Sequence, residues 1–104
     1  MPLTRFGFIV TGAGLDPGLH RQHLRSDTFE MVTVGVTSPA QALPVARNLV
    51  DEGVQLIELC GGFGPVWTAR VIEAIGDRIP VGAVAYGPEA VDRLQALFAP
   101  VAGR

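Results

Sequence analysis

Glu58, Cys60, Gly61, Gly62 and Gly64 fall within seven residues and bring together a carboxylate, a thiol and an unusually bare backbone. Cys60, the chain's one cysteine, would act as a nucleophile once a base takes its proton. Glu58 would serve as that base or as an orienting group, and a histidine delivered beside the thiol, His20 being the candidate, would complete a thiolate–imidazolium pair. Gly61, Gly62, Phe63 and Gly64 precede a proline-started helix. Their unpaired N–H groups, at the positive end of that helix, would cradle a phosphate, a carboxylate or the oxygen of a carbonyl. The plainer alternatives carry weight: a lone cysteine is often a small buried hydrophobe, and glycine suits any strand-to-helix turn.

Placing these groups is the work of the elements around them. Val54 to Cys60 alternates as a strand, so Glu58 and Cys60 share a face with Val54 and Leu56. A carboxylate in such a strand is expected near its carboxyl end, with a partner or water. Phe6–Val10, Glu30–Val36 and Pro80–Tyr86 read as three further strands. Pro17, Pro39, Pro65 and Pro88 each fall where a helix would begin, at spacings of 22, 26 and 23 residues, which suits one βα unit apiece.

The first of these helices, Gly18 to Ser26, is short in apolar residues and reduces to a helix or single turn. The second carries Leu43, Ala46, Leu49 and Val50 on one stripe and stops at Gly53; Pro44 must kink it or mark its true start. The third runs from Pro65 to about Ile75 with Val71, Ile72 and Ile75 inward, and Trp67 packs in the core or an interface. The last buries Ala90, Val91, Leu94, Leu97 and Phe98 and ends at Pro100 before a small tail.

Four consecutive βα units predict an α/β fold with a small parallel sheet and helices on both faces, a flavodoxin-like three-layer sandwich; a half-barrel is the alternative. All strand-to-helix turns then emerge on one edge. That edge gathers Thr11 and Gly12 from the first turn, Thr37 and Ser38 from the second, the glycine turn from the third and Tyr86 from the fourth. It also receives Asp16, His20, Arg21 and His23 from the first loop. The predicted ligand-binding set is therefore Thr11, Gly12, Arg21, Thr37, Gly61, Gly62, Phe63, Gly64 and Tyr86, with Cys60, Glu58 and His20 as the catalytic candidates. Arg21 or His20 could equally close the site by a hydrogen bond to Glu58. His20 and His23, three apart, have the spacing of metal ligands on a helix; two histidines in a polar turn read as solvated, and no metal site is expected. Asp51, Glu52, Asp77 and Arg78 sit at helix ends and read as solvated charge.

With 104 residues the chain is expected to be one domain, 1–104. Hydrophobic residues make up 48%, charged residues 17%, and mean hydropathy is +0.35. So little charge to cover the surface predicts a homo-oligomer. The net charge of −2 with scattered basic residues argues against nucleic acid. All eight basic residues are arginine, which excludes a lysine Schiff base and a Walker-type phosphate loop. One cysteine cannot form an internal disulfide and suits a reducing cytoplasm. No segment reads as a signal peptide or membrane span; Met31–Ala46, the longest uncharged stretch, is broken by Gly35, Pro39 and Pro44.

Asp16-Pro17 with His20-Arg21, Val34-Gly35-Val36, Pro80-Val-Gly82 and above all Glu58-Leu-Cys-Gly-Gly-Phe-Gly64 resemble a family of small bacterial proteins, about as long as this chain, known only as a domain of unknown function. The resemblance implies the domain limits and the central motif, and neither an activity nor a cofactor. Three functions stay open: an isomerase, lyase or hydrolase acting on a small anionic or carbonyl metabolite through Cys60 or Glu58; a non-catalytic ligand-binding or sensing module; and a structural subunit acting through oligomerisation.

Overall fold

The strand β1 (Arg5–Thr11) turns Gly7 and Ile9 to one face, where both are buried, and Phe6, Phe8 and Val10 to the other, where they are half-buried. A strand apolar on both sides belongs inside a sheet, and β1 is the middle strand of five. The structure, a computed structural model, describes residues 2–99; Pro100 and the tail after it lie outside them. The other strands are β2 (Arg21–Arg25), β3 (Glu30–Val36), β4 (Ile57–Leu59) and β5 (Val81–Ala83), in the order β2-β3-β1-β4-β5. β1 pairs in parallel with β3 and β4, and β4 with β5. This is the expected α/β fold, with an open, mostly parallel sheet.

One strand is antiparallel and was not expected. Gly18 to Ser26, read as a short helix or single turn, is a turn at residues 17–19 followed by β2, which pairs antiparallel with β3. The physical reason is visible in Arg21-Gln22-His23-Leu24-Arg25: a helix here has no apolar stripe to bury, whereas an edge strand satisfies its backbone on β3 and tolerates exposed side chains.

The helices are α1 (Ala42–Asp51), α2 (Gly64–Ala74) and α3 (Val91–Phe98), with single 3₁₀ turns at Pro39–Gln41 and Pro88–Ala90. Pro44 falls in the first turn of α1, where its missing N–H is no loss, so the true start of that helix lies just before it. Gly53 stops α1 at φ +89°. The steps β3–α1–β4 and β4–α2–β5 run the same way across the sheet, and right-handed crossovers therefore put α1 and α2 on the same face. There Ala42, Val45, Ala46 and Leu49 of α1 and Val71 of α2, with Ile75 just after it, meet Ile9, Val32, Val34, Val36, Ile57 and Leu59 to form the core. Gly7 permits this closeness: a Cβ there would lie 2.9 Å from Leu49 Cδ1.

The second face is covered only at its edges. Leu15, in the β1–β2 loop, packs on Gly35, where a Cβ would lie 2.9 Å from Leu15 Cδ1. α3 approaches the carboxyl edge, where Leu94 and Phe98 share a cavity with Val10 and Cys60. The apolar stripe expected on α3 is present in the sequence but not buried: Val91 is 58% exposed, Leu97 72% and Phe98 77%, because among the described residues no element lies against them.

Candidate functional site

The hydrogen bond from Cys60 N–H to the Ile9 carbonyl, 3.1 Å, continues the pairing of β4 with β1 by one residue. That register sets the thiol beside the end of β1. Thr11 N–H donates to Cys60 Sγ at 3.2 Å, and Thr11 Oγ1 lies 3.3 Å from the same sulfur. Phe63 N–H closes the turn onto the Cys60 carbonyl at 3.2 Å, and the Phe63 ring is anchored in the core at 3% exposure. The ring thus pins the glycine turn from the helix side. Gly64 begins α2 at φ +69°, a backbone state that favours glycine.

Gly61 and Gly62 are needed for a different reason. A Cβ on Gly62 would overlap Thr11 Oγ1, and one on Gly61 would lie 2.9 Å from the Tyr86 ring. Three turns therefore meet with no room between main chain and side chain. Val10, Thr11, Cys60, Gly61, Gly62 and Tyr86 line a cavity of about 500 Å³ at the carboxyl edge, with Leu94 and Phe98 of α3 across it. Its walls are largely apolar; a thiol, a threonine hydroxyl and glycine backbone form the polar part. Tyr86 is 61% exposed and stands at the mouth.

The other expected site residues are not brought to the thiol. Glu58 is exposed on the second sheet face, opposite Phe8 of β1 and Gly82 of β5. Among the described residues it makes no side-chain hydrogen bond or ion pair, so the partner expected for it is missing. The solvated face explains why none is required. His20 Nδ1 accepts the Asp16 N–H at 2.8 Å and lines a separate pocket of about 290 Å³ with Leu15, Leu19 and Gly35. Val10 lines both pockets, and no hydrogen bond links the imidazole to Cys60.

Arg21, expected as an anion ligand or as a closure onto Glu58, pairs bidentately with Glu52 just beyond α1. Glu52, read as solvated charge, is thus the clasp between β2 and α1. Its carboxyl is lowered by the Arg21 hydrogen bond, and the same bond raises Arg21. Thr37 Oγ1 donates to the Leu15 carbonyl and Thr37 N–H to Gln41 Oε1 at 2.7 Å, so the residue ties two loops together. Gly12 N–H donates to the Val36 carbonyl at 2.9 Å.

A second charged cluster had no signal beyond alternating charge in the sequence. Glu30, at the start of β3, receives Arg25 and His23 from β2 and Arg5 from β1. The Arg25 hydrogen bond, then that of His23, holds the Glu30 carboxyl down to about 2. Glu30 opens its strand while Cys60 lies just past the carboxyl end of β4, so this cluster belongs to the opposite edge of the sheet. Among the described residues no group of three His, Cys, Asp or Glu is placed to hold a metal ion, and no helix is long and apolar enough to cross a membrane.

Comparison with known proteins adds one finding. Residues 4–99 match DUF6506, a family of unknown function, so the match spans all five strands and all three helices. No curated protein and no solved structure matches the chain.

Proposed function

The chain belongs to DUF6506, a family of unknown function, and from the geometry of the carboxyl edge we propose that it binds a small anionic or carbonyl metabolite without turning it over. The observation that carries this reading is the meeting of Thr11, Gly61, Gly62 and Tyr86 around a cavity of about 500 Å³, with both glycines held free of side chain. Backbone kept bare beside a cavity is what close approach of a ligand requires. The Gly61–Gly62 main chain takes the charged or carbonyl end, and Val10, Leu94 and Phe98 take the apolar body.

The surroundings of the thiol support a reading without turnover. A nucleophilic cysteine needs a base within hydrogen-bond reach, and Cys60 has a threonine hydroxyl and an amide instead. His20 is committed to Asp16, and Glu58 lies two residues down the strand from Cys60 with no bond to it. The enzyme alternative would need one of them to move. The single thiol suits a reducing cytoplasm, and the low share of charged residues fits a homo-oligomer.

Thermal-shift titration with inorganic phosphate, acetate and pyruvate tests the reading. At least one of these anions is expected to raise the melting temperature of the parent and of Cys60→Ser, to leave Gly62→Val unchanged, and to slow alkylation of Cys60 by iodoacetamide. A panel that moves none of these readouts sinks it. So does consumption of the bound compound that depends on Cys60.

A further inference from the structure

Among the described residues, the side of the sheet turned away from α1 and α2 is an apolar surface covered only at its edges. Phe8, Val10, Leu24, Met31, Leu56 and Val84 share it by register and alternation, with Leu24 65% exposed and Val84 43%. In a parallel α/β sheet both faces are ordinarily buried. We propose that this face is packed, in solution, against the same face of a second copy of this chain, with α3 of each copy laid along the other.

Size decides the occupant. The strands hold seven, seven, five, three and three residues; at about 3.3 Å per residue and about 4.8 Å between strands they give a face of roughly 400 Å². The eight residues of α3, at about 1.5 Å apiece and about 10 Å across, cover at most about a third of it. The chain's own helix therefore cannot close the face. Two such faces together bury on the order of 800 Å², so the α3 of each copy is needed to reach the roughly 1,000 Å² of a stable association. The exposed Val91, Leu97 and Phe98 of α3 add to it.

Shape and charge agree. The radius of gyration is 15.0 Å, above the roughly 13 Å of a closed domain of this length. Glu58 is the one charge within the face, and Arg93 flanks the apolar stripe of α3; neither has an ion pair among the described residues. A self-complementary, isologous pairing brings these opposite charges onto one interface. It also roofs the His20 pocket and one wall of the Cys60 cavity, both of which open on this face. The pairing stands on the bare face alone and does not depend on the ligand reading.

Sedimentation equilibrium of the full chain at micromolar concentration is the test. The expected mass is twice the 11.0 kDa of one chain. Leu24→Lys, on the face, is expected to raise the dissociation constant about 30-fold or more, as losing a buried contact of about 2 kcal/mol does. Val66→Lys, equally exposed at 61% but on α2, leaves it unchanged. Circular dichroism verifies that each variant is folded; should Leu24→Lys unfold, Leu97→Lys on α3 reads the same contact. A parent sedimenting as one chain overturns the proposal. A dimer untouched by Leu24→Lys and Leu97→Lys, or dissociated by Val66→Lys, overturns it as well.

Discussion

Cys60 and Thr11 show how far a single contact governs the edge of this sheet. The sulfur is held from two sides by one residue of the neighbouring strand, and Gly62 is the residue that allows it. Gly62→Ala forces its methyl against Thr11 Oγ1 and is expected to cost about 1–3 kcal/mol, as overpacking does, measured by urea denaturation. Thr11→Ala in the same background restores part of it, since the clash is with that hydroxyl. Full cost in both backgrounds would place the strain elsewhere.

Glu30 gives a prediction of the opposite kind, electrostatic and dependent on pH. Its carboxyl is held down to about 2 in the folded chain, chiefly by Arg25, against about 4.3 for a free glutamate. A depressed value means that the cluster stabilises the fold above the unfolded value and loses that contribution as pH falls toward 2. Glu30→Gln is therefore expected to unfold at lower urea concentration than the parent at neutral pH, and the two midpoints to converge between about pH 4.3 and pH 2. A gap that stays constant over this window would mean that the ion pairs contribute nothing.

At the scale of elements, Gly7 and Leu49 set the distance between α1 and the sheet. Leu49→Ala is expected to cost about 2–5 kcal/mol, and Gly7→Ala to destabilise by pressing on Leu49 Cδ1 at 2.9 Å. The double variant should cost less than the two single costs added, because Leu49→Ala vacates the space that the new methyl needs. Strict additivity in denaturation midpoints would show that the helix shifts instead.

Parallel strands and the helices between them were legible because hydrophobic period, proline and glycine all agreed there: Ser38-Pro39 with Gly53 bounded α1, and Gly64-Pro65 opened α2. β2 was not, since Arg21-Gln22-His23-Leu24-Arg25 lacks the apolar alternation that marks a half-buried strand. Its partners are what make it one. The glycine turn meets Thr11 and Tyr86 at the carboxyl edge, the edge to which the alternation of strands and helices assigns all three. His20, Glu58 and Arg21 were legible only as residues of the same half of the fold, because side-chain partners such as Asp16 and Glu52 depend on loop paths that no spacing encodes. Leu94 and Phe98 lie on the apolar stripe that the spacing predicts as buried, yet Phe98 is 77% exposed; spacing shows that a stripe is apolar and not whether anything lies against it.

For the molecule as a whole, the two crossovers lie on one side of the sheet, and in the dimer proposed above the other side is completed by the second copy, which would make stability and quaternary state a single quantity. Diluting the protein below its dissociation constant is expected to lower its melting temperature, and a melting temperature independent of concentration would separate the two. β2 then takes on a significance beyond its place in the sheet. An exposed edge strand is a template for any other unpaired strand, and chains that add there grow into fibrils. Arg21, His23 and Arg25 place three basic side chains along five residues of this edge, each already held by Glu52 or Glu30. An incoming hydrophobic strand meets a fence of guanidinium and imidazole there. Overloaded or partly unfolded preparations should accordingly precipitate as amorphous material through the apolar face, and remain free of thioflavin-positive filaments for as long as those three side chains are in place.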